Sequence, residues 1–143
     1  MNDKDLDDSH HISRYCKPSS IENGRLLASA FELRENEGAL SVNWIEHYEK
    51  NTISEGIDCI RQVFINRGFG LSHNGRFASL SVSDVKKVIA QHGTSDPQIL
   101  RSPTPDGLDP SHCEVHGYTH DDVLIMAKLA ALVLRENLFP GRI

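Results

Sequence analysis

The sequence predicts an α+β fold: a mainly antiparallel sheet built from hairpins and packed against about three helices. Three observations lead there. Asn-Gly pairs at 23–24 and 74–75 separate short apolar runs, and Asn-Gly supplies the positive φ of a tight hairpin turn. Three longer stretches carry apolar residues at helical spacing, each behind a capping signal. The strand-like runs mostly follow one another directly instead of alternating with helices, so a parallel sheet is not expected.

His11 to Cys16 reads as the first strand, cut short by Pro18, which cannot donate to a ladder. After Asn23-Gly24, the run Arg25–Arg34 alternates Leu27, Ser29, Phe31 and Leu33 with Ala28, Ala30 and Glu32, a period of two. Asn36-Glu37-Gly38 separates it from a strand at Ala39–Trp44. Thr52 and Glu55 form a capping box ahead of a stripe of Ile53, Ile57, Ile60, Val63 and Phe64, and Gly68 stops that helix. Phe69–His73 and Arg76–Val82 read as a hairpin around Asn74-Gly75. Ser83-Asp84 is expected to cap a short helix carrying Val85, Val88 and Ile89, ended by Gly93. A short strand at Ile99–Arg101, a stiff Pro103–Pro110 loop and a strand at His112–Gly117 follow. The last helix is expected from His120 to about Leu138. It is apolar almost all round, so it should be the most buried of the three, any leftover face mediating a homodimer.

The chain has 143 residues and a net charge of −5. Four aspartates in residues 1–9 face a single lysine, so this segment is expected to be a disordered acidic tail ahead of a single domain at 10–143. Its acidity and lack of an apolar core predict no signal peptide, and no run is long enough to span a membrane. The negative balance argues against strong non-specific DNA binding. Cys16, Cys59 and Cys113 form no CxxC pair and read as free thiols of a cytoplasmic protein. No Walker A, GxGxxG or GxSxG motif is present, which argues against a P-loop, a Rossmann fold and an α/β-hydrolase.

Eight histidines are many for this length, and the densest reactive stretch is Ser111–His120. Pro110 before it, β-branched Val115 within it and Gly117 after it favour a strand. His112 and His116 then stand about 13 Å apart, at roughly 3.3 Å per residue, too far to share one ion. Neither a metal nor another cofactor is expected. Histidine is the side chain suited to donate and accept protons near neutrality. His11, His112 and His116 are therefore the candidate catalytic residues. Arg14 is the candidate anion clamp, its guanidinium fork matching phosphate oxygens. Asn43 and Trp44 could read and stack a base, and Tyr118 stands where the last helix begins. The expected function is an enzyme acting on a phosphate-containing substrate, a nucleotide or RNA, with a toxin-like nuclease as one form. The alternative is a non-catalytic module that docks a protein partner through its C-terminal helix or a sheet edge.

The stretches His11-Ile-Ser-Arg14-Tyr-Cys-Lys-Pro18, Leu40-Ser-Val-Asn-Trp44 and Asp109-Pro-Ser-His112-Cys-Glu-Val-His-Gly117 together resemble a group of small uncharacterised bacterial proteins. The likeness runs from His11 to about Pro140. It implies a bacterial cytoplasmic origin and a single compact domain, and it carries no activity.

Overall fold

In the computed structural model, which describes residues 4–93 and 95–143, six strands form one sheet with every neighbouring pair antiparallel. They are β1 (His11–Cys16), β4 (Leu40–Trp44), β5 (Arg76–Ser81), β6 (Gln98–Arg101), β7 (His112–His116) and β8 (Leu138–Pro140), in the order β6-β7-β4-β1-β5-β8. A separate two-stranded ribbon joins β2 (Ile21–Glu22) to β3 (Arg25–Leu26) around Asn23-Gly24, both in positive φ. The helices are α1 (Ile53–Asn66), α2 (Val82–His92) and α3 (Val123–Leu132). The α+β class with a mainly antiparallel sheet is thus the observed one.

The strand alternation divides the sheet into two unlike faces. Ile12, Cys16, Leu40, Val42, Ala78, Leu80, Ile99, Cys113 and Val115 point to one side, where α2, α3 and a 3-10 turn at Ala28–Phe31 cover them with Val85, Ile89, Ile125, Met126, Leu129 and Phe31. On the other side, α1 packs Ile57 and Ile60 on Phe77, Tyr15 and Ile45. That smaller core covers one end of the face. The remainder, across β1, β4 and β7, carries polar residues in register: Ser13 beside Asn43, and Asn43 beside His112.

Several elements differ from the expected ones. Arg25–Arg34 is not a strand beyond Leu26. Tyr118 Oη donates to the Phe31 carbonyl and Arg14 Nε to the Ala30 carbonyl, so side chains satisfy groups that a ladder would have used. Phe69–His73 is a loop held by Tyr15, whose hydroxyl accepts from Ser72 N at 2.9 Å. α2 begins earlier than expected, because Ser81, not Ser83, caps it by accepting from Asp84 N. α3 stops at Leu132, and the chain turns back to add β8 to the edge of β5.

α3 is also less buried than expected. Ile125, Met126, Leu129 and Ala130 enter the core, while Val123 and Leu124 are 62% and 58% exposed. The sheet and α2 engage one stripe of this helix, and α1 lies on the opposite face of the sheet and cannot cover the rest.

Residues 4–9 are not a free tail. Leu6 is buried at 4% exposure, its N–H donates to Ile99 O, and Arg101 N donates to Lys4 O. Lys86 pairs with Asp5 and Asp8. The acidic segment thus lies along the β6 edge, tied by backbone bonds and by one lysine. Residues 1–3, the start of the expected tail, lie outside the described residues.

Candidate functional site

A cleft of about 520 Å³ lies on the polar face of the sheet, beside the C-terminal end of α1. Its floor is Ser13, Asn43 and His112, one residue from each of three adjacent strands. Tyr15, Phe64, Phe69 and Leu71 form an apolar wall, and Arg67, Thr104 and Asp109 form a polar one. Strand alternation places the floor residues, and the loop after α1 brings Phe69 over them.

Asp109 anchors the polar wall. It is 1% exposed, and its carboxylate accepts from Asn43 Nδ2 at 2.9 and 3.1 Å, from Ser111 Oγ at 3.2 Å and from Arg67 Nη1 at 3.4 Å. A carboxylate out of water needs such partners, since an unpaired buried charge is costly. Ser111 Oγ also accepts from Asn43 and from Tyr48 Oη. Burial is the main cause that raises the Tyr48 phenol's pKa. Thr104 Oγ1 accepts from Asp109 N and donates to Asp106, which fixes the loop that presents Asp109.

His112 joins the floor with its orientation fixed. Its Nδ1 lies 2.8 Å from the Ser102 carbonyl. A carbonyl only accepts, so Nδ1 carries the proton and Nε2 of the neutral ring is a lone-pair base. Arg14 reaches across the point where β1 and β4 diverge, donating from Nη1 to Ser41 O and from Nε to Ala30 O. Burial lowers its pKa below the ordinary arginine value. Arg14 stands between Ile12 and Cys16 on the core face and spends its guanidinium on these two carbonyls, so the guanidinium that meets Asp109 in the cleft is that of Arg67.

The structure brings together only part of the predicted set. His112, Asn43 and Arg14 line the cleft; His11, His116, Trp44 and Tyr118 do not. His11 is engaged by Glu46, which accepts from its backbone N–H at 2.7 Å and meets its Nδ1 at 2.6 Å. The expected His11–His112 acid–base pair is therefore not assembled in this cleft. His116 stands at the far end of β7, 3.6 Å from Glu114, and the strand spacing keeps it away from His112. Trp44 lies at the edge of the other face, where His10 stacks on it and accepts from its Nε1, with Arg101 over the ring. It has no ring face in the cleft for a base. Tyr118 belongs to the core, its hydroxyl donating to Phe31 O at 2.6 Å, and burial raises its pKa. Asn43 is held differently from the expected base reader, because its amide nitrogen is spent on Asp109 and Ser111.

Ser13, Arg67, Phe64 and Phe69 were not legible as site residues. The one signal was Gly68-Phe69-Gly70, an aromatic between two glycines just past a helix end. The cysteines form no disulfide among the described residues, and burial pushes the Cys16 and Cys113 thiols up to about 12, which keeps both protonated at neutral pH. No group of three or more His, Cys, Asp or Glu side chains among the described residues could hold a metal ion. No helix among them is long and apolar enough to cross a membrane. Compared with known families, curated proteins and solved structures, the chain matches none.

Proposed function

We propose that the chain is a small enzyme that acts on a phosphate-containing substrate, a nucleotide or RNA, in the His112 cleft. The observation that carries this reading is the anchored imidazole in a cleft that the Arg67 guanidinium also lines. Among the described residues Arg67 spends one of its five N–H donors weakly, on Asp109 at 3.4 Å, which leaves the rest for an anion. His112 takes the substrate's proton at Nε2, and Ser102 O supports the imidazolium that forms through the Nδ1–H bond. With His11 elsewhere, one histidine takes the proton and returns it. Asp109 positions Arg67 and, through Asn43, the floor.

The test is turnover of an RNA oligonucleotide, a 2′,3′-cyclic nucleotide and nucleoside phosphates by the wild type and by His112→Ala. Loss of about 10²–10⁴-fold in rate with an unchanged melting temperature is expected, the usual contribution of a positioned acid–base group. Undiminished turnover by the variant, or no turnover of any of these substrates by the wild type, contradicts the reading.

A second reading is a non-catalytic module that docks through its C-terminal helix, a second copy of this chain being the partner. It is favoured by the stripe of Leu124, Ala127, Ala131 and Leu134, all exposed along one side of α3 and its C-terminal turn. Docking at the β6 edge is disfavoured, because residues 4–6 already bond there.

A further inference from the structure

Ser13 lies in the middle of β1, is 2% exposed, and its Oγ has no hydrogen-bond partner among the described residues. A buried hydroxyl without a partner forfeits its hydration for nothing, and native structures rarely keep one without a reason. Ser13 is one of the residues that line the cleft, so its buried hydroxyl lies just beneath the floor. Its direct neighbour in the sheet is Asn43, and such paired residues stand about 4.5–5.5 Å apart at Cα.

The partners of Asn43 settle which end of its amide is which. The Asp109 carboxylate can only accept, so the nitrogen faces it, and Oδ1 remains as an acceptor that no described residue uses. The floor therefore offers a hydroxyl beside a free acceptor. Across from them stands an aromatic wall. Phe69 is 48% exposed and meets Phe64 edge to face at 5.3 Å, and Tyr15 meets Phe64 at 6.4 Å. The Arg67 guanidinium lies 4.9 Å over the Phe69 ring, so the cationic part of the cleft adjoins the apolar part.

We infer that this cleft takes the base of a nucleotide. The heterocycle packs on Phe69 and Phe64, donates an edge N–H to Asn43 Oδ1, and bonds Ser13 Oγ through the neighbouring edge atom. The phosphate falls to Arg67. Ser13 can donate or accept, so the floor selects a nitrogen heterocycle with a donor edge rather than a single base. The inference rests on the reading of the cleft as a phosphate site.

The test is calorimetric binding of the four nucleoside 5′-monophosphates, the four nucleosides and ribose 5-phosphate to the full chain, Ser13→Ala and Phe69→Ala. Both variants are mild for folding, since Ser13 Oγ bonds to no described residue and Phe69 is half exposed. At least one nucleotide is expected to bind about tenfold tighter than ribose 5-phosphate, and each variant to remove that advantage, Ser13→Ala without changing ribose 5-phosphate binding. Nucleotides that bind no tighter than ribose 5-phosphate, or bind Ser13→Ala as tightly as the wild type, overturn the base subsite and leave the phosphate site standing. Nucleosides that bind as tightly as nucleotides, with loss in Ser13→Ala, uphold the base subsite and contradict the phosphate site. Absence of binding by every probe overturns both.

Discussion

Asn43 ties the polar floor to its wall. One amide nitrogen serves both oxygens of a buried carboxylate and a buried hydroxyl. Removing it strands acceptors that have little other supply, and each unsatisfied buried group costs about 1–3 kcal/mol. Asn43→Ala is therefore expected to lower stability in urea by at least that amount, and Asn43→Asp by more, since it sets a second carboxylate against Asp109. Equal urea midpoints for wild type and Asn43→Ala would sink this account of the network. The sequence singled out His112 by its place in the densest reactive stretch and Asn43 by its place beside Trp44, and both line the cleft. It could not find Asp109 as the partner of Asn43. That contact joins residues 66 positions apart and depends on how the Pro103–Pro110 loop folds over β4.

At the scale of elements, local signals held where one local cause decided the structure. Thr52 caps α1, accepting from Glu55 N at 3.1 Å as the capping box predicts. The strand expected at His112–Gly117 forms at His112–His116, with Cys113 and Val115 buried on one face and His112, Glu114 and His116 on the other. Signals failed where a distant partner outweighed local pattern. The period of two in Ala28–Leu33 was overruled when Tyr118 and Arg14 took the carbonyls of that run. The apolar run of the last helix gave its identity but not its length, since Leu138–Pro140 found a free strand edge on β5. The exposed side of α3 has its own expected outcome. Sedimentation velocity should detect self-association that rises with concentration and disappears in Leu124→Glu. A wild type that stays monomeric at every concentration would remove the second reading and leave the cleft untouched.

For the whole molecule, residues 4–6 cover one edge of the sheet and β8 forms the other. Residues 4–6 bond along β6, and β8 pairs with β5, where Arg61 donates to Pro140 O at 3.1 and 2.7 Å. Composition alone pointed the other way for the N-terminus, because four acids in nine residues read as solvated chain. One leucine and Lys86 reverse that, the leucine by entering the main core and the lysine by pairing with two of the aspartates. Leu6→Ala is expected to cost about 2–5 kcal/mol, the range for truncating a buried leucine. A change near zero would return this segment to the status of a tail. With the β6 edge bonded by residues 4–6 and one face packed by α2 and α3, the other face is where the sheet stays open to a ligand, and there the cleft lies.

The most direct check of that placement is a side-chain histidine ¹H–¹⁵N spectrum of the full chain titrated with uridine 5′-monophosphate and, separately, adenosine 5′-monophosphate. The His112 ring signals should move in a saturable way with at least one of them, while those of His10, His47 and His116 stay in place. Saturable movement at His10 and His47 around Trp44 with His112 unmoved, or no movement at any histidine, would contradict the assignment of the His112 cleft as the functional site.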